Sequence, residues 1–368
     1  MKLEYLPCLD GIRACAIAMV FVAHAGLDKF IPGALGVTVF FFLSGFLITS
    51  LLRAEWVQTG DISLRNFYLR RAYRILPPLY LVLAVVWFID LLPGSHNHTT
   101  GWGLASILLY FFNYATHFGL SELHVPTGLV ATWSLMIEEH FYLIFPWIYL
   151  AFKRNGKSVR SIVAVLAVSC LTALAWRYIL VYILHIAVDC PKPWTYNATD
   201  SRFDSILWGC ILAIGANPWC GDDISFLTRR KGPLAIGGLL LLLVSLLWRD
   251  LDFRQTLRYT LQGIALLPIF YYVVSSPNIW QTRWLSWRPL RWLGCVSYTV
   301  YLVHLSILDK LRTYTTWPAW AIGLTAALMA GLLAEIVRRT IEVPLRNRNR
   351  RGLSLPPQAV PFPRETMA

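Results

Sequence analysis

Long apolar runs, separated by short polar and basic segments, set the pattern of this chain. They recur near residues 9–28, 35–53, 76–92, 133–152, 160–186, 203–217, 233–248, 257–274, 290–308 and 319–337. The hydrocarbon core of a bilayer is about 30 Å thick and a helix rises about 1.5 Å per residue, so about 17–25 largely apolar residues cross it. In lipid every backbone N–H and C=O must be satisfied inside the segment, and a helix does this for a single run. The pattern therefore predicts an all-α, polytopic membrane protein of about ten transmembrane helices. A further apolar stretch, Leu104–Phe118, is brief. It predicts a re-entrant or interfacial helix.

Positive charge supports that reading. If Leu104–Phe118 does not cross, the basic segments Arg53–Arg74, Lys153–Arg160, Arg229–Lys231, Arg283–Arg291 and Arg338–Arg364 all face the same side. Basic loops stay in the cytoplasm, which puts both termini there. The opposite loops, 93–131 and 187–201, hold a single lysine, Lys192. Residues 1–346 are read as one transmembrane domain. Residues 347–368, with Pro356, Pro357 and Pro361, are read as a disordered cytoplasmic tail.

Composition agrees. Of 368 residues, 57% are hydrophobic and 14% charged, against about 25% charged in soluble domains. Sixteen Trp, seventeen Tyr and nineteen Phe suit aromatic belts at two interfaces. The net charge of +13 would suggest nucleic acid on a soluble protein. Here it belongs to the cytoplasmic loops, and lipid rather than nucleic acid is the expected partner. The seven Cys are scattered without metal-ligand pairs, so no metal chemistry is assigned to them. His96-Asn97-His98 is read as loop, for want of a third ligand. Ala23-His24-Ala25 resembles a peptidase site, but the segment before it has no net positive charge, so the first span is read as retained.

Ionisable groups inside a bilayer are costly and mark either function or a paired structural contact. The first span carries Asp10, Arg13 and His24. Eleven residues separate Arg13 from His24, so they share a face roughly 16 Å apart along the axis, with Asp10 on the same stripe. A structural ion pair with a core histidine and a catalytic stripe both fit. Thr132–Tyr142 contains the adjacent carboxylates Glu138 and Glu139, which need partners in a span or form an outer polar cap. Arg65–Arg74 packs Arg70, Arg71 and Arg74 ahead of Pro77-Pro78. Membrane anchoring and phosphate recognition both account for them. Arg202 and Asp204 are read as a local ion pair.

These clusters, in this order, resemble the acyltransferase-3 family of bacterial membrane O-acyltransferases. Leu9-Asp10-Gly11-Ile12-Arg13 with His24 resembles its Arg-x10-His signature, and Gly36–Ile48 its second-helix motif. Phe67–Pro78 is similar to the family's basic segment and Thr132–Tyr142 to its Trp-Ser-Leu-x-x-Glu-Glu run. Leu293–His304 and Glu342-x-Pro344-x-Arg346 complete six ordered matches over residues 6–346. Thr38 departs from a frequent Asp, and His140 from a frequent Gln. The chain resembles the stand-alone form, without a fused extracellular hydrolase-like domain.

The resemblance implies an O-acetyltransferase of the bacterial inner membrane, with no resident cofactor. Acetyl-CoA or another acyl-CoA would be co-substrate, and a sugar or glycan hydroxyl the acceptor. His24 is then the expected general base or nucleophile, with Glu138 or Glu139 orienting it. Asp10, Arg13, Arg70, Arg71 and Arg74 are expected at the CoA end, and Ser44, Ser297, Tyr298 and His304 around the pocket. Envelope polysaccharide, O-antigen, a signalling oligosaccharide and a small metabolite all suit as acceptors. A transporter or flippase of a lipid-linked glycan, or a non-catalytic assembly subunit, is the alternative in a different class.

Overall fold

The structure, a computed structural model, describes residues 3–92, 99–117, 123–186 and 193–352, with side chains to residue 347. The described chain is helical, without a strand. In order, the helices are α1 (Pro7–Val22), α2 (Gly33–Thr59), α3 (Leu64–Asp90), α4 (Gly101–Leu108), α5 (Phe112–Ala115), α6 (Trp133–Arg154), α7 (Val159–Tyr178) and α8 (Trp194–Asn197). They continue with α9 (Thr199–Gly215), α10 (Ser225–Leu247), α11 (Leu251–Gln255), α12 (Leu257–Ser275), α13 (Trp280–Arg283), α14 (Arg288–Tyr314), α15 (Ala319–Val337) and α16 (Val343–Gly352). Helices α1, α7 and α15 each run on into a single π-helical turn.

Among the described residues, nine helical segments are long and apolar enough to cross a membrane. The tenth expected span, 203–217, is α9, a 17-residue helix with most of its length buried against protein. The chain is a polytopic, all-α membrane protein. Among the described residues of the Leu104–Phe118 stretch there is no spanning helix; α4 and α5 are two short pieces joined by a turn at Tyr110. His140 ties that turn down, its Nε2 lying 2.8 Å from the Tyr110 carbonyl and its Nδ1 2.7 Å from Thr199 Oγ1.

Burial separates inner from outer helices. In α2, 78% of the spanning window is buried, against 17% in α10 and 22% in α7, whose apolar side chains face outward. Lipid offers no hydrophobic drive between helices, so close approach rests on small residues. A Cβ at Gly36 of α2 would meet the Ala16 carbonyl of α1, and one at Gly45 the Ile206 carbonyl of α9. Helices α1 and α14 run side by side, with Gly294 against the Asp10 backbone and His24 against His304.

Two expectations are corrected here. The span expected at 76–92 begins at Leu64, since α3 continues through Pro77 and Pro78. Two prolines remove two N–H donors, but partners from neighbouring helices offset this in membrane helices. The Tyr298 hydroxyl donates to the Ile75 carbonyl at 3.0 Å beside that break. Arg202 and Asp204 do not pair. Asp204 accepts instead from Arg177 at 2.8 Å, both side chains fully buried, while Arg202 lies over the Tyr259 ring at 3.9 Å. Two residues apart on a helix, they point to different sides. The backbone of α16 is helical to Gly352. His96, His98, Lys192 and residues 353–368 lie outside the described residues.

Candidate functional site

Four helices, α1, α2, α6 and α14, together with the first half of α3, enclose a narrow cavity of about 90 Å³. Arg13, Arg71 and Arg74 line one part of it, with Glu138, Glu139, Tyr142 and Ser44 in the middle. Val37, Phe40, Ser134 and Tyr301 line the other end, as their positions along α2, α6 and α14 require.

The cations reach this space for local reasons. Asp10 is buried, accepts from Tyr5 at 2.5 Å and from Arg13 Nη1 at 3.1 Å, and so holds Arg13 in place. Asp10 itself does not line the cavity. On α3, Arg71 and Arg74 are three apart and share a face; Arg70, four before Arg74, borders the same face but is drawn off by a carboxylate. Arg70 turns to Glu55 of α2, Nη2 to Oε2 3.2 Å. Arg71 lies over the Tyr142 ring at 5.4 Å and the Phe67 ring at 5.9 Å. Among the described residues no carboxylate pairs with Arg71 or Arg74. Two guanidiniums without acidic partners in one cavity are positioned for an anionic ligand.

Glu138 is held by two hydroxyls of the same pocket. Ser44 Oγ donates to Oε2 at 3.0 Å and Tyr142 Oη at 2.6 Å. Glu139 faces the cavity beside it. Neither carboxylate is hydrogen-bonded to His24, the role expected for one of them. Ser297 lines the cavity while donating to the Gly294 carbonyl at 2.9 Å, and Tyr298 lines it beside α3.

His24 lies beyond the far end. The helix of α1 widens there into the π-turn Ala23–Leu27, which includes Gly26 at φ 112°, a conformation glycine accepts readily. Such turns occur often at functional positions. His24 is exposed, whereas His304 is fully buried. Nδ1 of His24 lies 2.9 Å from Nε2 of His304, and Nδ1 of His304 lies 2.7 Å from the Tyr301 carbonyl. A carbonyl only accepts, so His304 carries its proton on Nδ1 and presents a bare Nε2. His24 then donates from Nδ1 and keeps its own Nε2 lone pair free. This fixes a basic nitrogen at the exposed end of the pair. Arg312 Nη2 donates to the His24 carbonyl at 2.5 Å and anchors the π-turn.

Of the expected residues, the structure gathers Arg13, Ser44, Arg71, Arg74, Glu138, Glu139, Ser297 and Tyr298 in one cavity. It places His24 and His304 as a separate pair past Tyr301. Asp10 supports from behind, and Arg70 faces elsewhere. Tyr142, Ser134 and Tyr301 are site residues that sequence reasoning did not single out. The i, i+4 spacings of Ser134 and Glu138, of Glu138 and Tyr142, and of Ser297 and Tyr301 signal them. A second cavity, about 400 Å³, lies between Phe112, Thr116 and residues 123–130 on one side and Asp309–Tyr314 on the other. Asp309 and Thr313 sit roughly 140–180° around α14 from His304, so this space opens on a different face of the helix from the imidazole pair. No group of three His, Cys, Asp or Glu side chains among the described residues is arranged to hold a metal.

Comparison with known proteins gives this architecture a family. Peptidoglycan O-acetyltransferase OatA of Listeria monocytogenes is 30% identical over 359 residues, covering 93% of this chain and 56% of that protein. The putative peptidoglycan O-acetyltransferase YrhL of Bacillus subtilis is 30% identical over 370 residues, 95% of this chain and 56% of that protein. O-acetyltransferase OatA of Staphylococcus aureus is 29% identical over 375 residues, 96% and 59% respectively. The chain thus spans little more than half the length of these relatives. No solved structure matches it significantly. The family model described as an acyltransferase domain matches residues 6–336, nearly all of the helical bundle. This chain, with its arginine-lined cavity and its paired histidines, belongs to the acyltransferase-3 family.

Proposed function

We propose that the protein is a membrane O-acetyltransferase that takes an acetyl group from acetyl-CoA and passes it to a glycan hydroxyl. Peptidoglycan is the acceptor class suggested by the named relatives. In this reading the basic loops and both termini face the cytoplasm of a bacterial inner membrane. The observation that carries it is the order of groups between two ends of the bundle. Arg13, Arg71 and Arg74 come first, then a narrow cavity, then a histidine pair with a free basic nitrogen.

CoA carries phosphates that suit the guanidiniums of Arg71 and Arg74. A cavity of about 90 Å³ accommodates the acyl thioester end and leaves the nucleotide at the cytoplasmic mouth. His24 is the base. Its Nε2 takes the proton of the acceptor hydroxyl as the oxygen attacks the thioester carbonyl carbon. The carbon–sulfur bond then breaks, and the departing CoA thiolate takes a proton from the imidazolium. A two-step course, with the acyl group first on His24 Nε2, uses the same lone pair. His304 is the positioning residue, replacing Glu138 and Glu139 in that part. The two carboxylates belong to the donor cavity, where Glu138 orders Ser44 and Tyr142.

The test is CoA release from acetyl-CoA by the full chain in nanodiscs, with soluble peptidoglycan fragments as acceptor. Acceptor-dependent release by wild type, lost in a folded His24→Ala variant, is the expected result. Equal release by both removes His24 from the chemistry. No release, together with no binding of acetyl-CoA, favours the transporter reading.

A further inference from the structure

We infer that Tyr301, with Phe40 and Ser134, is the wall that sets the length of acyl group this site accepts, limiting it to acetyl or little longer. The inference rests on the acyl-CoA reading above and deepens it.

Position comes first. Tyr301 is buried and lines the donor cavity at the end away from Arg71 and Arg74. Its ring centroid is 5.5 Å from that of His304. The same residue therefore lines the cavity on one side and packs against His304 of the histidine pair on the other. An acyl carbon that is to meet His24 must approach this side chain, and every further carbon must find space against it.

The wall is also held firmly. The Tyr301 hydroxyl lies 2.6 Å from Ser134 Oγ and donates to the Ala131 carbonyl at 2.9 Å. Ser134 is buried in the first turn of α6, and the Phe40 ring of α2 meets the Tyr301 ring edge-on at 6.4 Å. Three helices thus hold one stretch of the cavity wall in place. Buried hydrogen-bonded groups do not swing aside without leaving polar atoms unpaired, which costs about 1–3 kcal/mol for each. The cavity behind the wall, about 90 Å³, is smaller than the roughly 150 Å³ that admits a benzene ring in a packed protein core. A two-carbon acyl group suits that space, and an extended chain does not.

One geometric detail separates the wall from the chemistry. The contact that fixes the His304 tautomer uses the Tyr301 backbone carbonyl, which any substitution retains. The wall is side chain alone. Truncating it changes the space and spares the carbonyl that orients the imidazole pair.

The experiment measures CoA release from acetyl-, propionyl-, butyryl- and hexanoyl-CoA by the full chain in nanodiscs, with the same peptidoglycan fragments as acceptor. Wild type, Tyr301→Val and Phe40→Ala are compared as ratios of kcat/KM between donors. A ratio is unaffected by the fraction of folded protein. Phe40→Ala opens the same wall from another helix, should Tyr301→Val fold poorly. Wild type is expected to lose about ten-fold or more between acetyl- and butyryl-CoA, as steric discrimination by a packed pocket allows. In either variant that ratio should fall by about ten-fold. An unchanged ratio in both variants, with wild type active, overturns the wall and leaves the transferase reading intact. A wild type that uses hexanoyl-CoA as well as acetyl-CoA overturns it too. No binding of any acyl-CoA by wild type removes both.

Discussion

Nδ1 of His24 stands 2.9 Å from Nε2 of His304, on two helices 280 residues apart in the chain. The carbonyl of Tyr301 fixes the proton on the far side of His304. That one bond therefore decides which nitrogen of the exposed imidazole is free. A lone histidine in water shares its proton between two tautomers; this one is held in the tautomer that leaves Nε2 basic.

Replacing His304 should act through His24. His304→Ala is expected to lower kcat about 10–100-fold while leaving acetyl-CoA binding unchanged, the usual scale for a residue that orients a reactive group. His304→Gln should restore part of the rate, because its amide oxygen can accept from His24 and its NH2 can donate to the Tyr301 carbonyl. Steady-state kinetics separate kcat from KM. Equal loss in both variants would count against the orienting role.

His24→Ala should cost more, about 10²–10⁴-fold in acceptor-dependent turnover, the range for removal of a general base. His24 is exposed, so the variant should melt close to wild type. A large drop in melting temperature would instead assign His24 a structural part.

Arg71 and Arg74 should be separable from Arg70. Arg71→Ala or Arg74→Ala is expected to weaken acetyl-CoA binding about 10–100-fold, since a charge-assisted hydrogen bond contributes about 1.5–3 kcal/mol. Arg70→Ala, whose side chain pairs with Glu55, should change affinity little. Isothermal titration with acetyl-CoA checks this, and equal effects at all three positions would show an unspecific field rather than a site.

The Arg177–Asp204 pair is structural. Both side chains are fully buried, and Arg177 also bonds the carbonyls of Ser201 and Thr256. Removing one partner alone, as in Asp204→Asn, should destabilise by about 3–5 kcal/mol by leaving a buried charge unmatched. The double variant Arg177→Met with Asp204→Leu should recover part of that loss. Thermal melting in detergent reads both.

Acid should loosen the loop after α9. Burial pushes the Asp222 carboxyl up, but hydrogen bonds from Arg53 and from the Asn217 N–H outweigh it and hold it below the ordinary carboxylate value. A carboxyl lowered in the folded state contributes stability above its unfolded value, near pH 4, and that contribution disappears as pH falls through the folded value. Asp222→Asn should flatten the dependence of melting temperature on pH in that window. An unchanged slope would show that other carboxylates control acid sensitivity.

Much of this protein is decided by its amino-acid pattern alone. Spanning helices follow from apolar length, because lipid leaves the backbone no other partner, and so the expected spans coincide with helices whose ends shift by a few residues. The boundary at α3 was hidden because Pro77 and Pro78 look like a helix start, whereas the helix runs through both. The cluster of Arg13, Arg71 and Arg74 was legible as spacing on single helices. That Arg71 and Arg74 share one face follows from the helical period; the exclusion of Arg70, four before Arg74, does not, and comes from its pair with Glu55 of α2.

Tertiary structure decided everything that depends on two helices meeting. Glu138 or Glu139 was expected to orient His24; the packing of α2 and α6 gives Glu138 to Ser44 and Tyr142 instead. His304 came into the sequence reading only as a pocket residue. It became the partner of His24 because α1 and α14 lie side by side, Gly294 allowing the close approach of the two backbones. Sequence periodicity specifies which face of a helix a residue occupies. Which other face it meets is settled by how small residues let the helices pack, and that information is spread over the whole bundle.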